Sequence, residues 1–155
     1  MINATVRWTS QGEDFAKNRY SRAHTWTFDG GVEVAASSSP DIVPVPMSDA
    51  SAIDPEEAFV ASLSSCHMLW FLSIAAKSGF EVQEYRDEAI GEIRKNDAGK
   101  LFIALVTLRP QVTWATDREP TDDELCQMHH QAHEECFIAN SVKTEIRIDP
   151  QKVGN

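Results

Sequence analysis

Three thiols and a group of imidazoles are the reactive side chains of this chain. Cys66, Cys126 and Cys136 stand with His67, His129, His130 and His133, and a fifth histidine, His24, lies well upstream. A thiol attacks as its thiolate, and at neutral pH only about 3% of an ordinary cysteine is ionised. A working cysteine therefore needs a positive neighbour. Two cysteines that meet in a fold allow a further step, in which one is oxidised and the other closes a disulfide on it. Cys66 and Cys136 are far apart in the chain, and their spacing leaves two readings open. Each is inert core sulfur, or the helices that carry them pack together and the thiols form a redox pair. His67 follows Cys66 directly but points about 100° away around a helix, so adjacency does not make it that thiol's base.

A metal is the competing chemistry. Cys126, His129 and His133 have a spacing that one helix face can present to an ion. The run His129-His130-Gln131-Ala132-His133 lacks the glutamate of an H-E-x-x-H hydrolase, however, and no second ligand cluster accompanies it. We read these histidines as the polar shoulder of an amphipathic helix and expect neither metal nor cofactor. No nucleophile elbow, dinucleotide fingerprint or phosphate loop occurs, which removes serine hydrolases and nucleotide binders.

The elements that must hold these groups follow from patterning. Asp54 caps a helix, with Pro55 at its first position, Glu56 and Glu57 against its positive end and Gly79 as its stop. From Met68 to Leu72 this helix is apolar on every face, which demands burial all round, and a partner subunit would supply it. A second helix opens at Thr121 with the spacing of a capping box and is expected to end near Asn140. Its core stripe is Leu125, Met128, His129, Ala132 and Cys136; at about 100° per residue Cys136 returns to within about 20° of Leu125, whereas Cys126 sits on a shoulder. Alternation marks strands at the opening segment (Val6 and Trp8 on one face), Arg22–Phe28 and Val32–Ala36, with Asp29-Gly30-Gly31 as a hairpin turn. Further strands are expected at Ala89–Ile93, Leu101–Leu108, Val112–Trp114 past a bulge, and Val142–Ile148. A long loop rich in serine and proline runs from Ser37 to Ser48. The order is that of an α+β fold in one domain, 1–155.

Composition bounds the partners. Fourteen basic against 24 acidic residues leave a net charge of −10 in 155 residues, which opposes phosphate backbones and anionic lipid, so neither nucleic acid nor membrane is expected. No basic, apolar leader opens the chain, no apolar run reaches membrane-spanning length, and three cysteines do not make a secreted disulfide framework; the expected location is cytoplasmic.

Two segments resemble a known family. Asp54-Pro55-Glu56-Glu57-Ala58-Phe59-Val60-Ala61-Ser62-Leu63-Ser64-Ser65-Cys66 is similar to the N-P-E-x-L/F-x-x-A-x-x-x-C motif of the OsmC/Ohr proteins. Ala132-His133-Glu134-Glu135-Cys136-Phe137-Ile138-Ala139-Asn140-Ser141 is similar to their second motif, A-H-x-x-C-P-x-S, with Phe137 in place of proline. The resemblance implies antiparallel sheets packed on two long helices in an intertwined homodimer with active sites at the subunit interface. It implies a thiol-dependent peroxidase that reduces organic hydroperoxides, in which Cys66 is the peroxidatic and Cys136 the resolving thiol. An arginine of the early strands, Arg22 or else Arg19, would stabilise the thiolate, and Glu56 would orient it. A dithiol of lipoyl or thioredoxin type would restore the enzyme. Ten helical residues span roughly 15 Å, too far for Glu56 and Cys66 to share one arginine, so either the helix breaks between them or Glu56 serves the partner's thiol. Two other classes stand beside this one: a dimer of the same fold that binds a small ligand or partner without redox turnover, and the metal site.

Overall fold

The computed structural model describes residues 1–12 and 14–153. The chain forms two compact units, Met1–Ala58 and Phe59–Asn155. Among the described residues the main elements are eight strands, β1 (Ala4–Arg7), β2 (His24–Phe28), β3 (Glu33–Ala36), β4 (Val82–Asp87), β5 (Ile90–Lys95), β6 (Leu101–Leu108), β7 (Pro110–Trp114) and β8 (Glu145–Ile148), and two α-helices, α1 (Pro55–Lys77) and α2 (Asp122–Glu135).

In the first unit β1, β2 and β3 form an antiparallel sheet in chain order, with Val6 opposite Trp26 and Trp26 opposite Val34. The turn expected after Phe28 is present, and Gly31 takes the positive φ (83°) that closes it. Strand β2 begins at His24 rather than Arg22. The Arg22 backbone N–H is diverted to the Met47 carbonyl (2.7 Å), so it has no place in the ladder. The expected common face of His24 and Trp26 is real: the Trp26 indole N–H donates to His24 Nε2 (2.9 Å). The loop after β3 is tied down where Ser37 N–H donates to Ile53 O (3.0 Å) and Asp49 N–H to Ser37 Oγ (3.0 Å).

Helix α1 starts and stops as expected. The Asp54 carboxylate accepts the Glu57 N–H (2.8 Å) while Glu57 accepts the Asp54 N–H (3.2 Å), a reciprocal cap. At the other end Phe80 N–H reaches Ala75 O (3.0 Å) and Gly79 N–H reaches Ala76 O (3.1 Å), with Gly79 at φ 79°. Leu63, His67, Phe71 and Ala75, four residues apart, make its buried stripe. Leu63 packs with Val106 and Leu108 on the sheet of β5, β6 and β8, and Phe71 and Ala75 pack with Phe80, Met128 and Ala132. The polar member, His67, falls between the two clusters.

Several expectations need correction. Burial on every side is not met within the chain, because Leu69, opposite the stripe, is 61% exposed. With 23 residues and a mean hydropathy of 1.6, α1 is also long and apolar enough to cross a bilayer, contrary to the expectation from the sequence. One side of it is packed, its buried stripe lying against the sheet of β5, β6 and β8 and against α2. The sheets of the second unit are not all antiparallel: β5–β6 is antiparallel, but β8 joins β6 in parallel, as a strand returning through the α2 crossover can. Val112–Trp114 does not resume the β6 strand; as part of β7 it pairs with β4, a strand the sequence pattern had not disclosed. The change of sheet occurs at Arg109-Pro110, where the Arg109 N–H is bound by Asp87 Oδ1 (2.6 Å) and the proline has no N–H. Helix α2 ends at Glu135, short of Asn140, because the Asn140 carboxamide takes the carbonyls of Glu134 (2.8 Å) and Cys136 (3.0 Å). The last strand is confined to Glu145–Ile148.

Candidate active site

The two sulfurs singled out in the sequence meet. Cys66 lies on α1, half-buried; Cys136, at the C-cap of α2, is buried, with 1% of its surface exposed. The Cys66 thiol stands close enough to act on that of Cys136. Leaving the helix at Cys136 brings its Sγ back over the following turn, where the Ala139 N–H donates to it (3.4 Å). Burial, and then the contact with Cys66, push the Cys136 thiol up to about 11. Cys136 is therefore protonated at neutral pH. Cys126 is exposed on the shoulder expected for it.

Next to Cys66 in the chain begins a feature that sequence reading missed. His67 Nε2 and His129 Nδ1 are 3.0 Å apart. The rings are nearly parallel (7°) with centroids 5.3 Å apart, the N···N distance plus two ring radii, so they meet edge to edge in one plane. Phe71 covers His129, with centroids 4.3 Å apart. Burial pulls His67 down to about 4 and His129 to about 3, with the charge of His133 acting on the first and that of His67 on the second. Both rings are neutral at physiological pH, and each keeps one nitrogen without a partner, Nδ1 on His67 and Nε2 on His129. Of the two sequence readings of His129, the polar shoulder is corrected and the core stripe holds: it is buried. The available signal was its place between Met128 and Ala132 on the buried stripe. His130 does lie on the exposed shoulder, paired with Glu134 (3.4 Å). Among the described residues, no group of three or more His, Cys, Asp or Glu side chains is placed to hold a metal.

The remaining candidates lie in the first unit. Arg22 precedes β2; its Nη2 donates to Asn18 Oδ1 (2.8 Å), its Nη1 to the Tyr20 carbonyl, and its guanidinium carbon stands 3.6 Å from the Tyr20 ring centroid. Asn18 reaches it from a left-handed backbone (φ 60°), which asparagine tolerates better than most residues. Arg19 is instead engaged by Asp14 (2.8 Å), whereas Arg22 has no carboxylate partner among the described residues. Glu56 occupies the first turn of α1. That helix is continuous to Lys77, so no break brings Glu56 toward Cys66.

The sequence model of the OsmC-like protein family matches residues 48–151. An OsmC-like protein of unknown function from Vibrio cholerae is 53% identical, covers 97% of this chain and 99% of its own, and superposes with a TM-score of 0.95. More distant likenesses share the fold. An organic hydroperoxide resistance protein from Elizabethkingia anophelis is 17% identical with a TM-score of 0.71, over 100% of this chain and 96% of its own. OhrB, the organic hydroperoxide resistance protein of Bacillus subtilis, is 18% identical with a TM-score of 0.65, over 99% and 98%. No match is found among curated proteins.

Proposed function

The chain belongs to the OsmC-like protein family, and on that premise we propose that it is a cysteine-based reductase of organic hydroperoxides. The observation that carries this reading is the contact between Cys66 and Cys136, which a merely structural cysteine has no need of. The Cys66 thiolate attacks the distal peroxide oxygen, the O–O bond breaks, and the alkoxide leaves as alcohol after taking a proton. Cys66 is left as a sulfenic acid. Cys136 then displaces its hydroxyl, which departs as water with the Cys136 proton, and the disulfide forms. A dithiol of lipoyl or thioredoxin type reduces that disulfide by exchange.

The buried, protonated Cys136 suits the second step, since it cannot compete for the peroxide. Arg22 is the cation that favours the thiolate, a choice supported over Arg19 by the carboxylate that already occupies the latter. The unbroken course of α1 favours Glu56 acting across a homodimer, and the uncovered Leu69 face supports such a dimer. The names of the distant structural neighbours agree with organic hydroperoxides as the substrate class. A cytoplasmic setting fits a cycle that a cellular dithiol must close.

Turnover provides the test. Reduced protein with dihydrolipoamide or a thioredoxin system should consume cumene hydroperoxide faster than hydrogen peroxide, and Cys66→Ser should fall to the uncatalysed rate. Equal rates for the parent and Cys66→Ser would leave a binding dimer without redox turnover as the better reading.

A further inference from the structure

The buried imidazole pair has no part in the peroxide chemistry above, yet it is an unfavourable thing to keep in a core. Each ring gives up its hydration and recovers one hydrogen bond, leaving one nitrogen unpartnered. Apolar packing of the same volume would serve stability as well or better. What an apolar pair lacks is direction.

Beside the pair, the packing of α1 on α2 includes an apolar cluster with Phe71 and Ala75 on one side and Met128 and Ala132 on the other. Such surfaces tolerate small slides. Helix α1 is itself fixed from another side, where Ser64 Oγ donates to Asp87 Oδ2 (2.5 Å) and Asp87 Oδ1 also binds the Arg109 N–H. The sequence places one ring of the pair immediately after Cys66. The other lies seven residues before Cys136 on the same stripe of α2, two helical turns away. The in-plane geometry means that sliding or turning α2 on α1 lengthens or bends the bond at once.

We propose that the His67–His129 hydrogen bond positions α2 on α1 and thereby sets how readily Cys66 and Cys136 close to a disulfide. The two histidines are positioning residues, and this inference rests on reading the cysteines as a redox pair.

The test uses no peroxide. Parent protein and the variants His67→Phe, His129→Phe and the double variant are equilibrated with glutathione buffers, and the Cys66–Cys136 disulfide is quantified by mass spectrometry. All three variants should shift the equilibrium toward the dithiol by about tenfold. The double variant matters most, because it leaves no orphan imidazole and tests direction apart from desolvation. His129→Asn and His67→Gln, whose amides reach the places of Nδ1 and Nε2, should stay near the parent. A folded double variant that matches the parent would overturn the proposal while leaving the redox pair standing. A parent that forms no disulfide at any glutathione ratio would overturn both. A measurement free of substitutions accompanies these: the imidazole 15N shifts of His67 and His129 in the parent should differ between dithiol and disulfide forms, and identical shifts would contradict the coupling.

Discussion

At the scale of single residues, the two sulfurs differ in character although they touch. Cys136 is buried and its thiol is pushed up to about 11. It should resist alkylation by iodoacetamide at about pH 8 and react only as the pH approaches its raised value, whereas exposed Cys126 should be labelled at once. Peptide mapping after a short pulse reads both, and early modification of Cys136 would contradict its burial. The identity of this pair was legible from helical spacing together with the two motifs. The imidazole pair was not, because a periodicity argument places His129 on a buried stripe without saying what faces it. Two neutral rings become partners only when α1 and α2 are seen together.

Those rings also give the protein an acid limit. Their folded values, about 4 and about 3, lie below the ordinary histidine value of 6.5. The unfolded chain therefore binds protons that the folded one refuses, and their contribution is whole above about pH 6.5. It is lost progressively as the pH falls from there toward 3, so the urea midpoint should drop between about pH 7 and pH 4.5. The His67→Phe/His129→Phe double variant should flatten that slope, and an unchanged slope would show that other groups carry it.

At the scale of elements, helix starts were legible because caps are local chemistry. Asp54 and Thr121 each exchange hydrogen bonds with a glutamate three residues on, as their spacing implies. Strand β4 was hidden because Val82-Gln83-Glu84-Tyr85-Arg86-Asp87 is mostly polar and only Val82 and Tyr85 contribute to the apolar core. The parallel pairing of β8 was equally hidden, since parallel and antiparallel partners impose the same alternation on a strand. The seat of α1 on β5 depends on a missing side chain. A Cβ added at Gly91 would stand 2.8 Å from Val60 Cγ2, a clash that must move the helix. Gly91→Ala should cost about 1–3 kcal/mol by denaturant titration; a neutral result would mean that α1 shifts freely, against the fixed seat described here.

At the scale of the whole molecule, the composition of α1 remains the strongest signal for a partner. Its uncovered face carries Leu69, and a charge there should oppose association. The parent should sediment as a dimer and Leu69→Glu as a monomer; a parent that sediments as a monomer would contradict the dimer, and a dimeric Leu69→Glu would place the interface elsewhere. If Glu56 acts across that interface, mixing Cys66→Ser with Glu56→Gln subunits should restore activity to one site of each mixed dimer. Failure to restore it would place both groups' action within one chain.

All of this depends on one event, the closing of a bond between Cys66 and Cys136 when a hydroperoxide is reduced. Fully reduced protein treated with one equivalent of cumene hydroperoxide and digested under non-reducing conditions should give a single crosslinked peptide pair containing these two residues. Cumyl alcohol should form in equal amount, and Cys136→Ser should stop at a sulfenic acid on Cys66 that dimedone traps. Peroxide left unconsumed, or oxidation that falls on exposed Cys126 while Cys66 and Cys136 remain thiols, would contradict the account.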